Sequence, residues 1–183
     1  MAINKKNSPL WVKIVIIIIA ITFVGGVGLA GFGGLVNGGS TPSKTPAGAG
    51  TLTTKYQPQV DSALAASKAD PTNATLLANV GHVYYEWAVA EYESGAVDLS
   101  RPHWTAAVAY YDQALAITPK DAVVLGNKAF ALTYAESPDA KAALEAFIAT
   151  NDTALKSQIA NAKELLAQVV ANESAATSGT PAP

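Results

Sequence analysis

The stretch GVGLAG, Gly26–Gly31, has the G-x-G-x-x-G spacing of a loop that holds the pyrophosphate of a dinucleotide. Such a loop follows a short strand and opens a helix, and an acid about 20 residues further on binds the ribose. Here the apolar run is far longer than a strand, the chain continues as GFGGLVNGG, and the next acid is Asp61. We therefore interpret the spacing as part of an apolar segment and predict no nucleotide chemistry.

Side chains that could catalyse a reaction or bind a metal are few in this chain. The only histidines are His82 and His103, there is no cysteine, and no H-E-x-x-H spacing occurs. A metal centre and a cofactor are therefore not predicted. Glu86 and Glu93 are seven residues apart and share one helix face, as carboxylates paired for acid–base work would. A solvated helix face explains them better, so the sequence does not predict an enzyme.

The N-terminal third contains a long apolar segment, residues 10–36, interrupted only by Lys13 and Thr22. A membrane helix needs about 20 predominantly apolar residues, so this segment predicts one transmembrane helix. Lys5 and Lys6 lie in the short preceding segment 1–9, which places the N-terminus in the cytoplasm and the rest of the chain outside. A cleaved signal peptide, which would release a secreted protein, is the alternative, but the run is longer than a usual signal core and no A-x-A site follows.

Small residues recur every fourth position from the second half of this segment to just beyond its end, at Gly26, Ala30, Gly34 and Gly38. Such a ladder lets two membrane helices approach closely and would support a homodimer. The alternative is that glycine is simply common in membrane helices.

Two segments of small and polar residues with proline flank the body of the chain, residues 55–171. They predict a flexible linker at 37–54 and a disordered tail at 172–183. Residues 56–183 hold seven basic and fourteen acidic residues, a net charge of −7. This acidic body is a poor match to nucleic acid, whose phosphates need clustered basic side chains.

The body carries a helical pattern in AAVAYYDQALAITPKDA, Ala106–Ala122. Small residues at Ala107 and Ala114 flank Tyr111, and Pro119 ends the helix. This phrase resembles the second helix of a tetratricopeptide repeat.

The same register fits a first helix upstream, in NATLLANVGHVYY. The family positions of that helix correspond to Leu77, Val80, Gly81 and Tyr84. A second and weaker unit begins at Ala122, with Leu125, Ala129, Leu132, Ala143 and Phe147 at its positions, and half-units lie at both ends. The stretch from Tyr85 to Trp104 exceeds the 34-residue unit by about fourteen residues. The resemblance implies an all-α fold of tetratricopeptide-like hairpins, about six helices, behind the transmembrane helix.

Prolines and capping residues give the expected helix bounds. These are about Pro58–Ala69, Ala74–Ser94, Arg101–Ile117, Asp121–Glu136, Pro138–Thr150 and Asp152–Ala171. Ser100, Ser137 and Asn151 are the expected N-caps, and AVDLSRPH is the expected loop after the lengthened first helix. The aromatic side chains expected to be partly free on that helix are Tyr85, Trp87 and Tyr92, whereas Tyr84, Trp104 and Tyr111 are expected to pack.

The resemblance implies a scaffold that binds another protein on the concave face of the repeats. By family register this face carries Asn79, His82 and Glu86 from one repeat and Asn127, Phe130 and Tyr134 from the next. The expected partner is a peptide or a partner helix, held near a membrane that the chain crosses once. The alternatives are an envelope enzyme or small-ligand carrier, and a structural subunit of a membrane complex assembled through the glycine ladder.

Overall fold

The computed structural model describes residues 49–177, and this part of the chain is all-α. It contains six α-helices, one short 3-10 helix and no strand within that range. The helices are α1 (Ala49–Ala69), α2 (Ala74–Glu93), α3 (Val97–Ile117), α4 (Ala122–Tyr134), α5 (Ala140–Ala149) and α6 (Lys156–Thr177), with the 3-10 turn at Thr153–Leu155.

The helices form a stack in which each one packs against the next along the chain. Short turns join them, so consecutive helices run antiparallel. In addition, α2 contacts α4 and α4 contacts α6, which places these three helices along one side of the stack. Two hairpins of the same construction, α2–α3 and α4–α5, therefore lie side by side.

A glycine marks the closest approach of the helices in each hairpin. A Cβ on Gly81 would lie 2.6 Å from Tyr111 Cε1, and a Cβ on Gly126 would lie 2.9 Å from Phe147 Cε2. Both distances are shorter than any ordinary carbon contact, so these positions need glycine for packing. Tyr111 and Phe147 are almost completely buried. The two hairpins thus share one device, an aromatic ring of the second helix packed over a glycine of the first.

The first helix of each hairpin also ends in the same way. Gly95 has φ +82° and Glu136 has φ +55°, the left-handed conformation that ends a helix. The amide of Gly95 donates to Tyr92 O, and that of Ala96 donates to Glu91 O. The amide of Glu136 donates to Thr133 O, and that of Ser137 donates to Leu132 O. Both ends are Schellman motifs, which satisfy the last carbonyls and turn the chain back.

Two helices begin earlier than the starts that we predicted from the positions of the prolines. Pro58 lies inside α1, which begins at Ala49, so the part of the expected linker from residue 49 to 54 is helical. Pro102 lies inside α3, so the expected loop is reduced to a short turn and Ser100 is buried within the helix instead of capping it. An interior proline costs a helix about 3 kcal/mol. Here packing offsets that cost, because Tyr56, Val60 and Trp104 around the two prolines are buried.

The C-terminal elements differ from the expected bounds in smaller ways. Asp152 caps the 3-10 turn that precedes the last helix, and its carboxylate accepts from the amide of Ala154 at 2.8 Å. Asn151, the expected cap, adopts φ +48° in the preceding turn. Ser137 accepts from the amide of Asp139, one turn before α5 begins. Helix α6 continues to Thr177, so residues 172–177 of the expected tail are helical.

The predicted transmembrane helix 10–36, with the ladder at Gly26, Ala30, Gly34 and Gly38, lies outside the described residues. Among residues 49–177, no helix combines the length and the apolar character that crossing a membrane requires.

Candidate functional site

The predicted groove residues separate into exposed, partly buried and buried positions. Asn79 is exposed, whereas His82, Glu86, Asn127 and Tyr134 are partly buried. The structure brings the first helices of the two hairpins together at His82 and Asn127, because Asn127 Nδ2 lies 3.3 Å from His82 Nδ1. This contact links α2 to α4 across the face on which the family register placed the groove.

His82 also contacts the second helix of its own hairpin. The Tyr111 hydroxyl lies 2.9 Å from His82 Nδ1, and the two rings are tilted with centroids 5.3 Å apart. Burial lowers the pKa of His82, which the carboxylate of Asp121 partly opposes. The pKa of Tyr111 lies well above its usual value, first because of burial and then because of Tyr85 and Glu86. Near neutral pH the imidazole and the phenol are therefore both uncharged, and the hydroxyl and the Asn127 amide are donors that can share the Nδ1 lone pair.

We call His82, Tyr111 and Asn127 the polar node. Its three side chains connect α2, α3 and α4 at one point. Its imidazole is uncharged and accepts hydrogen bonds, and within residues 49–177 it contacts no side chain that it could activate as a nucleophile. Its geometry fixes the register of one hairpin on the next, which is the property a repeat surface needs in order to present side chains at set spacings.

Phe130 is not part of an open surface, and its assignment to the groove is wrong. Its side chain is 3% exposed and meets Phe147 edge to face at 5.9 Å. Helix α4 is contacted by α2, α3, α5 and α6, so nearly all of its circumference is covered. Phe130 therefore packs between α4 and α5.

Tyr134 is partly covered as well. Its ring stacks on Trp104 at 5.3 Å and meets Tyr92 edge to face at 5.4 Å. Burial raises its pKa to about 12, with a smaller contribution from Tyr92. The phenol is therefore neutral at any physiological pH, and the ring joins α4 to the α2–α3 hairpin.

The open part of the predicted face is a polar strip along α2. Asn79, Glu86 and Glu93 recur at seven-residue steps, which places them on one side of the helix. Partial burial raises the pKa of Glu86, and Lys55 on α1 opposes this shift. Partial burial also raises the pKa of Glu93. We call these three residues the acidic strip; it lies beside the polar node and carries negative charge at neutral pH.

The sequence analysis missed a buried hydrogen-bond partner for the second histidine. Glu91 is 3% exposed and its Oε2 lies 2.7 Å from His103 Nδ1. The carboxylate accepts from the imidazole and so orients the ring. Gly95 could have indicated this contact, because a turn there places residues of α2 and α3 opposite each other. The expected helix start at Arg101 instead put His103 next to a loop.

His103 belongs to a stack of five rings that connects three helices. In order the rings are Tyr56, Trp87, His103, Tyr84 and Tyr110, with successive centroids 6.0, 4.0, 6.1 and 5.9 Å apart. All four pairs are near parallel. Since the rings of Trp87 and Tyr84 both lie near parallel to that of His103, the histidine serves as a packing element here.

The expected exposure of the aromatic side chains on α2 is wrong for two residues. Tyr85 and Trp87 are 2% and 4% exposed, and Tyr85 meets Trp104 edge to face at 4.9 Å. Tyr84, expected in the core, is only partly buried. Helix α1 covers Trp87 and α3 covers Tyr85, so the lengthened hairpin is filled by its own aromatic rings.

Within residues 49–177, no group of three or more histidine, aspartate or glutamate side chains could hold a metal ion. No protein-family model, no curated protein and no solved structure matches this chain.

Proposed function

We propose that this protein is a membrane-held scaffold of tetratricopeptide-like hairpins that binds a peptide or helix of another protein. The observation that carries the proposal is the repeated hairpin, in which Gly81 and Gly126 each receive an aromatic ring and each first helix ends in a Schellman motif. Stacked hairpins of this kind create extended surfaces that suit protein partners.

The proposed binding surface consists of the acidic strip and the exposed edge of the polar node. Asn79 supplies an amide that can both donate to and accept from a peptide backbone. Glu86 supplies negative charge at the centre of the strip, and His82 with Asn127 forms its border toward α4. The partner segment is therefore basic or neutral, and its association weakens as salt screens the charges.

Membrane attachment rests on the apolar segment 10–36 and the lysines before it. One uncleaved pass holds the helical domain on the outer side and keeps its search for partners within the membrane plane. A second candidate function, a structural subunit assembled through the membrane helix, is favoured by the ladder of Gly26, Ala30, Gly34 and Gly38.

Capture from native membranes with two matched pairs of substitutions tests the proposal. The site pair is Asn79→Ala with Glu86→Gln. The control pair, Gln113→Ala with Glu145→Gln, removes the same groups from exposed positions on α3 and α5. We expect a defined partner to be lost at least about tenfold with the site pair and retained with the control pair, while both keep the wild-type melting temperature; tenfold corresponds to about 1.4 kcal/mol.

Equal retention by both variants would move the interface away from the acidic strip. If a Gly34→Leu variant, which disrupts the ladder, loses the partner while the site pair keeps it, the structural-subunit function is the correct one.

A further inference from the structure

Three of the nine asparagines in this chain have threonine or serine two residues further on. This is the spacing at which an asparagine side chain accepts an N-linked glycan. The three acceptor triplets are Asn73-Ala74-Thr75, Asn151-Asp152-Thr153 and Asn172-Glu173-Ser174. All of them lie in the helical domain, and none lies in the predicted membrane segment or before it. The structure can therefore be used to compare the three as acceptors.

The chemistry of glycan transfer sets what an acceptor must offer. The new bond joins Nδ2 of the asparagine to C1 of the first sugar of a lipid-linked oligosaccharide. The bond between C1 and the phosphate oxygen of the lipid breaks, the lipid phosphate leaves with that electron pair, and Nδ2 loses one proton. The carboxamide must therefore be accessible and not held by other groups, and the hydroxyl two residues on must be accessible with it.

The carboxamide of Asn73 is held by three hydrogen bonds at the start of α2. Its Oδ1 accepts from the amides of Thr75 and Leu76 at 3.1 and 3.3 Å, which is the N-cap of that helix. Its Nδ2 donates to Asp70 Oδ2 at 3.2 Å, and the residue is partly buried. Substitution of Nδ2 by a sugar would compete with the bond to Asp70 and crowd the cap, so Asn73 is a poor acceptor.

The triplet at Asn172 lies inside a helix. Helix α6 runs from Lys156 to Thr177, and residues two apart on a helix point about 200° apart around its axis. The Ser174 hydroxyl donates to the carbonyl of Val170 at 2.9 Å. The carboxamide and the hydroxyl of this triplet therefore point to different sides, which also makes it a poor acceptor.

The triplet at Asn151 lies in the turn between α5 and α6 and meets both requirements. The side chains of Asn151 and Thr153 are exposed, and within residues 49–177 neither hydrogen-bonds to another group. The helical backbone is interrupted here, since Asn151 has φ +48° and Asp152 is extended with ψ 122°. The turn is stabilised by the middle residue, because Asp152 Oδ1 accepts from the amide of Ala154. Modification of Asn151 would therefore break no contact of the fold.

We propose that Asn151 carries an N-linked glycan in the native protein and that Asn73 and Asn172 do not. The proposal rests on the outward topology proposed above, which puts the helical domain on the side of the membrane where such glycans are transferred. The site is separate from the proposed binding surface, whose residues lie on α2 and α4. A bulky, hydrated group beside the last helix hinders another chain from continuing the stack, as the polar outer face of a capping repeat does.

Mass spectrometry of the full chain purified from its native membranes tests the proposal. Trypsin cleaves after Lys141 and Lys156, so the peptide 142–156 contains Asn151 and neither of the other two triplets. We expect this peptide to carry the added mass of one or more sugar residues. The tryptic peptides that contain the other two triplets should keep the masses of their sequences.

Four single substitutions make the assignment specific. Asn151→Gln should abolish the added mass of the chain. Thr153→Ala should abolish it as well, although the asparagine is still present and its turn is unaltered, because the triplet is then incomplete. Asn73→Gln and Asn172→Gln are the matched controls, and both should leave the added mass unchanged.

An unmodified peptide 142–156 would overturn the proposal, and so would a glycan on Asn73 or Asn172, or added mass on this peptide that survives Thr153→Ala. Protease added to intact cells separates this failure from a failure of the proposed topology. Digestion of the helical domain together with an unmodified peptide would refute the glycan alone. A protected domain together with an unmodified peptide would refute the outward topology as well.

Discussion

Replacing Gly81 by alanine isolates the close approach of the two helices in the first hairpin. The added Cβ would lie 2.6 Å from Tyr111 Cε1, 2.8 Å from Tyr111 Cδ1 and 3.2 Å from the carbonyl oxygen of Ala107. The ring cannot easily move away, because it is fully buried and its hydroxyl contacts His82 Nδ1 at 2.9 Å. The substitution therefore overpacks the contact between α2 and the Tyr111 ring, which is held in place.

The magnitude follows from two opposing effects. Overpacking of a core typically costs about 1–3 kcal/mol, and the pinned ring places this site in the upper half of that range. Alanine also gains about 1 kcal/mol in helix propensity over glycine. The expected net loss in the free energy of unfolding is about 1–2 kcal/mol, which lowers the melting temperature by roughly 4–8 °C for a domain of this size.

Urea and thermal unfolding, followed by the helical circular dichroism signal, measure this loss. Gly50→Ala is the control, because a Cβ there meets nothing within 4 Å, and it should leave stability unchanged or raise it. Gly126→Ala should behave like Gly81→Ala, since its Cβ would lie 2.9 Å from two atoms of the Phe147 ring. A Gly81→Ala protein as stable as the wild type would refute the assignment of this residue as the contact point of the hairpin.

Three other expectations concern single side chains. Tyr85→Phe should maintain or raise stability, because the buried Tyr85 hydroxyl has no hydrogen-bond partner. Tyr111→Phe should instead cost about 1 kcal/mol by breaking the contact with His82, and urea titrations of both variants measure the difference. Glu136→Gly should raise stability by about 1 kcal/mol in the same assay, because glycine adopts φ +55° without strain and the ion pair lost with Arg101 is exposed. Burial lowers the folded-state pKa of His82 below 6.5, so the unfolded chain binds this proton first as the pH falls. The free energy of unfolding should therefore decrease from about pH 7 toward pH 5. His82→Gln should flatten that part of the pH profile, and an unchanged slope would contradict this assignment.

The core of the first hairpin could be predicted from the sequence. Ala107, Tyr111 and Ala114, placed by their helical spacing, are all 0% exposed, and Val80 with Gly81 lies opposite them. These positions follow from local periodicity, because a helix repeats every 3.6 residues and small residues mark its closest contacts.

Helix bounds at the prolines could not be predicted in the same way. The local cost of Pro58 and Pro102 argued for helix starts, but the burial of Tyr56, Val60 and Trp104 depends on helices that are distant in sequence. Fully burying one large apolar side chain contributes about 1.5–3 kcal/mol, so two such residues outweigh one proline.

The candidate site shows the same division. The register placed His82 and Asn127 on the first helices of neighbouring hairpins, and their side chains lie 3.3 Å apart. The four-residue spacing of Phe130 and Tyr134 indicated a shared face but not whether another helix covers it. The neighbours of α4 determine that exposure, and they bury Phe130. The Glu91–His103 pair depended on the position of the α2–α3 turn, which the proline at 102 obscured.

Site-specific photo-crosslinking in native membranes tests the proposed binding surface most directly. A photoreactive residue at position 79 reports on the acidic strip, and the same residue at position 113 reports on an exposed part of α3. The account predicts a discrete protein adduct from position 79 that weakens at high salt and is lost with Glu86→Gln, and no such adduct from position 113. The same adducts from both positions, or a discrete adduct from position 113 alone, would contradict a binding surface on α2.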